Sequence, residues 1–151
     1  GPSLLALSRQ NLPQLRTDGG ENRSAKGAYR LIAAEAERKV VLVATGSEVE
    51  IAVAVRAALE EQGIGADVVS MPSWERFDAQ PADYRADVLP SHVLRVSIEA
   101  GTTMGWERYT GIAGLRFGID GFGASGPAPK LYEHFGLTAA AIAPQIVAAL
   151  A

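Results

Sequence analysis

Glu99 closes the run HVLRVSIE (His92 to Glu99) and stands directly before Ala100-Gly101. A carboxyl at the end of a strand in an open α/β sheet has the address of a general acid or base. Glu107 follows, flanked by Trp106 and Tyr109, but no histidine, second acid or nucleophile is arranged with them in sequence. A hydrogen-bonding role at a domain or subunit contact is therefore the plainer reading of Glu99. Arg9 ends the apolar run SLLALS (Ser3 to Ser8) and precedes Gln10 and Asn11. A planar guanidinium there offers its fork to a carboxylate or a phosphate, with an ordinary salt bridge as the alternative.

Two glycine patterns suggest phosphate chemistry and fail on context. Gly121, Gly123 and Gly126 spell G-x-G-x-x-G after the apolar Leu115 to Ile119. Such glycines hold a pyrophosphate on the N-terminus of the next helix, with an acidic residue about 20 positions on for the ribose. Here Pro127 and Pro129 remove two backbone donors, and no carboxylate occurs from Gly136 to Ala151. The expectation is a structured loop, with Ser125 or Gly126 as N-cap and Pro127 near N1 of a helix through Phe135. Thr45-Gly46-Ser47 also joins a strand to a helix, but it lacks the lysine of a phosphate loop and is followed by Glu48 and Glu50. Those carboxylates suit the helix dipole and repel an anion.

Composition narrows the remaining chemistry. There are no cysteines, which excludes disulfides and thiolate metal sites. His92 and His134 are not in a ligand-spaced pair and are read as structural. A net charge of −3 without a basic stripe argues against nucleic acid. No run approaches the roughly 20 apolar residues of a membrane span, and no signal pattern opens the chain, so the expected compartment is the cytoplasm.

The elements that must position these residues follow from periodicity. Ser3 to Ser8 reads as a strand buried on both faces. Gln14 to Gly27 is polar and carries Gly19-Gly20, as a linker does. The chain thus looks as though it begins with the last strand of a neighbouring domain. Beyond the linker, Ala28 to Ile32 suggests an edge strand, and Val40 to Thr45 a central one. Asp67 to Met71, His92 to Glu99 and Leu115 to Ile119 complete the set. Ser47 to Gln62 is a helix whose S-x-x-E start, Ser47 with Glu50, predicts a capping box. Short helices are expected over Pro81 to Leu89 and Met104 to Tyr109. A last helix runs from the Thr138 cap to Ala151, with Pro144 expected to kink or restart it. Trp74, Phe77 and Tyr84 are packing anchors rather than a base-stacking platform. Strands alternating with helices give an α/β fold.

ALSRQNLPQL (Ala6 to Leu15), VLVATGSEVEIA (Val41 to Ala52), VSMPSWERFDAQ (Val69 to Gln80), YRADVLP (Tyr84 to Pro90), SIEAGTTMGWERYTG (Ser97 to Gly111) and GIDGFGASGPAPKLYEHFGLT (Gly118 to Thr138) occur in one order and spacing. In these motifs the chain resembles the C-terminal portion of a transketolase. The resemblance implies a three-layer α/β/α sandwich around a five-stranded, mostly parallel mixed sheet with one antiparallel edge strand. It makes residues 1–12 the terminal strand of the preceding pyrimidine-binding domain, 13–27 a linker and 28–151 the C-terminal domain. Transketolases move a two-carbon ketol unit between sugar phosphates with thiamine diphosphate and Mg or Ca, in a homodimer whose active site is built from two earlier domains. Their metal and diphosphate are held by a G-D-G motif with a downstream asparagine. This chain has no G-D-G, and its only asparagines are Asn11 and Asn22. It is therefore expected to hold no cofactor and to be inactive alone. The arginine of the SRQNLP motif contacts the substrate phosphate in the family, and here it is Arg9. Two departures stand out: Pro144 in the last helix, and Gly126 where alanine is common.

Two other readings remain. One is an independent regulatory or small-ligand module using the strand ends near Gly46, Gly101 and Gly121. The other is a half-enzyme completed by a separately encoded chain.

Overall fold

The computed structural model describes residues 2, 4, 7–8 and 10–151. Arg9 and half of the expected first strand (Ser3, Leu5 and Ala6) lie outside the described residues. Five strands form one sheet in the order β1-β3-β2-β4-β5. They are β1 (Tyr29–Ile32), β2 (Arg38–Ala44), β3 (Gly65–Ser70), β4 (Leu94–Ile98) and β5 (Leu115–Phe117). β1 pairs antiparallel with β3, and every other pair is parallel. The expected mixed sheet with one antiparallel edge strand is what the chain forms.

β2 takes the middle because its residues are apolar on both faces. Val40 to Ala44 are fully buried, as a strand covered on both sides requires. Val40, Leu42 and Ala44 pack against α1 (Glu48–Glu60) and α6 (Ala139–Leu150), through Ala52, Val55, Leu59, Ile142 and Ile146. Val41 and Val43 face a second layer made of α2 (Trp74–Asp78), α3 (Ala82–Val88) and α4 (Glu107–Thr110). That layer is aromatic: Trp74 meets Trp106 edge-on at 5.0 Å, and Phe77 meets Tyr84 at 6.5 Å. Tyr84 donates its hydroxyl hydrogen to the Ala28 carbonyl at 2.9 Å, so these rings are the packing anchors expected of them. α2 itself has no periodicity to betray it. Its start is set by Ser73, whose Oγ accepts from the Arg76 amide at 3.3 Å.

Gly27 is required where the linker meets the domain. It has φ +83°, and a Cβ there would strike the backbone of Ser73 and Phe77, so the chain can enter the sheet there only at a glycine.

Three local expectations need correction. Ser47 is helical at φ −66°, ψ −27°, and makes no cap. Its Oγ donates to Glu48 Oε1 at 2.7 Å; an N-cap needs non-helical backbone to turn its oxygen back to the N2 or N3 amide, and Ser47 is already helical. In α5 (Ala128–His134), Pro127 is itself the N-cap, and neither Ser125 nor Gly126 caps. Pro144 neither ends nor restarts α6. It stands on the solvent side, as does Ala140, whose carbonyl loses its helical partner to proline and is left facing water. The Thr138 cap is present, with Oγ1 accepting from the Ala141 amide at 3.3 Å.

Candidate functional site

The strand order creates one topological switch point. From β2 the chain crosses to β3 on one side, and β4 then adds on the other, so the ends of β2 and β4 open side by side. Open α/β sheets gather functional side chains at such a crevice. Here it collects Glu48 just after β2, Glu99 just after β4, and Tyr132 from α5.

Glu48 is 5% exposed although it carries a carboxyl. Two hydroxyls satisfy it: Ser47 Oγ donates at 2.7 Å and Tyr132 Oη at 2.6 Å, both to Oε1. Tyr132 Oη in turn accepts from Gln10 Nε2 at 3.1 Å. This relay fastens the residue that follows Arg9 in the chain to the body of the domain, across 122 positions of sequence. Glu99 faces the same group, with no cation beside it among the described residues. Burial first, and then the Glu48 carboxylate, push the Glu99 carboxyl up to about 7. A cavity of about 410 Å³ opens over these residues, walled by Ala124, Leu131 and Phe135. A neighbouring one of about 580 Å³ runs between Gln10, Asn11, Ile51, Ala54 and Leu137.

Burial and the Glu48 neighbour thus favour the protonated form of Glu99. Among the described residues, no group of three or more histidine, aspartate or glutamate side chains is placed to hold a metal ion. Glu107, which sequence proximity linked to Glu99, turns instead to its own loop, where Oε2 accepts from the Gly105 amide at 2.9 Å. The residue that does meet Glu99 is Glu48, which occupies the equivalent address after the adjacent strand. That shared address was the one signal in the sequence. Nothing local marked Tyr132 or Gln10.

Among the described residues, no protein atom packs closely against the first two glycines of the glycine-rich loop. Gly121 and Gly123 are exposed, with open space where a Cβ would stand, so no close approach demands them. What orders this stretch is Asp120, which accepts from the Thr103 amide at 2.7 Å and from Thr103 Oγ1 at 2.8 Å. Those bonds, the amide first, hold the Asp120 carboxyl below its ordinary range. His134 stacks edge-on against Phe135 at 4.8 Å, and His92 is exposed at the far end of β4. Among the described residues no helix is long and apolar enough to cross a membrane.

Comparison with known proteins follows the same outline. The family model of the transketolase-like C-terminal domain matches residues 27–138. Over 140 residues the chain is 55% identical to a transketolase from Sinorhizobium medicae, covering 91% of this chain and 20% of that protein. With a transketolase from Rhodobacter capsulatus it shares 49% over 152 residues, 96% of this chain and 23% of that one. Among solved structures, the Pichia stipitis transketolase in complex with sedoheptulose-7-phosphate superposes with a TM-score of 0.83 at 40% identity. The match covers 93% of this chain and 20% of that one. The chain thus spans about a fifth of the length of these relatives.

Proposed function

This chain belongs to the transketolase family, in its C-terminal domain, and we propose that it serves a complete transketolase as a scaffold that carries one substrate-binding residue. In that reading residues 28–151 are the domain, 13–27 the linker, and 1–12 the last strand of the pyrimidine-binding domain. The whole enzyme transfers a two-carbon ketol unit between sugar phosphates as a cytoplasmic homodimer, and this domain supports the dimer. Arg9 contacts the phosphate of the sugar. The binding of sedoheptulose-7-phosphate by the Pichia stipitis relative supports a phosphorylated substrate.

Thiamine diphosphate and its divalent cation do not fit the residues described here. The strand ends present Glu48 and Glu99, which would repel a diphosphate, and Ser47 and Tyr132 already donate to Glu48. The cofactor and the metal are assigned to the other domains, and the isolated chain is expected to be inactive.

The observation that carries the reading is the relay Gln10–Tyr132–Glu48. It ties the segment bearing Arg9 to a rigid domain, as a residue that must meet a phosphate in a fixed place requires. The test uses a transketolase containing this chain. Arg9→Ala should raise KM for a phosphorylated ketose about 10- to 100-fold, the loss expected for a charge-assisted hydrogen bond. KM for hydroxypyruvate, which has no phosphate, should not move. An equal loss on both substrates would remove Arg9 from phosphate recognition.

A further inference from the structure

On the face of the sheet opposite α1 and α6, a second cavity of about 230 Å³ lies among α2, α3, α4 and β4. Its walls include Phe77 and Leu89, and its polar lining is Asp78, Arg85, Arg95 and Arg108. Three guanidiniums therefore meet one carboxylate. That carboxylate is already committed, because Asp78 Oδ2 accepts from Arg108 Nη2 at 2.9 Å and from Tyr109 Oη at 3.2 Å.

Arg85 and Arg95 are left over. Among the described residues neither guanidinium makes a hydrogen bond or an ion pair, and Arg85 Nε is buried without a partner. A buried N–H in that condition is a standing cost to the fold that a bound acceptor would relieve. Arg95 projects from the middle of the sheet and lies over Gly111, where a Cβ would come within 2.7 Å of Nη2. Gly111 has φ +77°, so a side chain is disfavoured there on both counts and the guanidinium keeps its place. Burial alone acts on Arg95, lowering its pKa, and no carboxylate opposes it. Two fixed forks beside an apolar wall match the geometry of an oxyanion with several acceptor oxygens.

We propose that this cavity binds a phosphate group, held between Arg85 and Arg95 with Arg108 at its rim. The site is separate from Arg9 and does not depend on the role given to that residue. At about 230 Å³ it admits inorganic phosphate or the phosphoryl end of a small metabolite, and it is too small for a dinucleotide.

Inorganic phosphate should be titrated into the 15N-labelled chain at constant ionic strength while the arginine Nε–H resonances are followed. Saturable shifts of the Arg85 and Arg95 signals are expected. Arg85→Gln and Arg95→Met should each weaken binding about tenfold or more, whereas Arg9→Ala should leave it unchanged. Should Arg95→Met not fold, the wild-type resonances and Arg95→Lys, which keeps the charge but not the fork, still decide. Ribose 5-phosphate binding more tightly than inorganic phosphate identifies a phosphorylated metabolite as the source of the group, and equal binding identifies free phosphate. Shifts that never saturate, a preference for citrate over phosphate, or loss on Arg9→Ala but not on Arg95→Met would overturn the assignment.

Discussion

Buried carboxylates are handled in opposite ways at two places in this sheet. Beside the edge strand β1, Asp67 is 1% exposed and fully answered. It accepts from Arg38 at 3.0 Å and from the Ala34 amide at 2.8 Å, with Arg30 at 3.7 Å. Glu60 nearby accepts from the amides of Glu35, Ala36 and Ala66, each at 3.0 Å. Burial would raise its pKa, but those amides outweigh burial and the net shift is downward. At the ends of β2 and β4, by contrast, Glu48 and Glu99 face one another with hydroxyls for company and, among the described residues, no cation. The first arrangement fastens a turn and an edge strand to the core. The second leaves two carboxyls at one crevice, where burial and the Glu48 carboxylate raise the Glu99 pKa instead of a partner lowering it.

That contrast can be broken first at Asp67. Asp67→Ala strands Arg38 and Arg30 against the sheet and should cost about 3 kcal/mol in urea unfolding, as removal of one partner of a buried pair does. A loss within experimental error would make Asp67 incidental to the fold.

Glu99 should respond with the opposite sign. Unfolded glutamate releases its proton near 4.5, and native Glu99 near 7. Between those values the native state binds the extra proton, so stability is greatest on the acid side and falls as pH rises toward 7. Glu99→Gln should abolish that slope and stabilise the domain at pH 8 by about 1 kcal/mol, a figure kept small because the half-buried carboxyl is screened by solvent. Thermal melts of both proteins from pH 5 to pH 8 check it; parallel curves would refute the unpaired carboxyl. Glu60 works in the other direction, contributing stability above its unfolded pKa that is lost as acid protonates it.

The smallest change sharpens the comparison most. Tyr132→Phe removes the hydroxyl between Gln10 and Glu48 and should lower global stability by less than about 1 kcal/mol. It should nevertheless free the segment at Gln10, seen as faster cleavage by limited proteolysis near Leu12, which is already 44% exposed. Unchanged cleavage would mean that the relay does not hold the arm.

Much of the fold was legible because it rests on short-range signals. The unbroken run Val40 to Thr45 and the Thr138 cap are each decided by a few neighbouring residues, and each stands where the sequence placed it. α2 was missed because a five-residue helix has too little length for a period. The Ser47 cap failed because the pattern S-x-x-E does not reveal that Ser47 itself takes helical backbone angles, from which its oxygen does not cap. The restart expected at Pro144 does not occur, because the cost of a proline depends on which face of α6 it occupies.

Sequence by itself determined the five strands of the sheet, the long helices α1 and α6 and the kinship with transketolases, since periodicity and ordered motifs are properties of the chain alone. Tertiary structure decided which distant residues meet. Only the order β1-β3-β2-β4-β5 sets the end of β2 beside the end of β4, which brings Glu48 to Glu99 and lets Tyr132 reach Gln10. Only the packing of α3 and α4 over β4 leaves Arg85 and Arg95 without a partner among the described residues. These are contacts between elements far apart in the chain, fixed by how the whole core closes, and no local pattern encodes them.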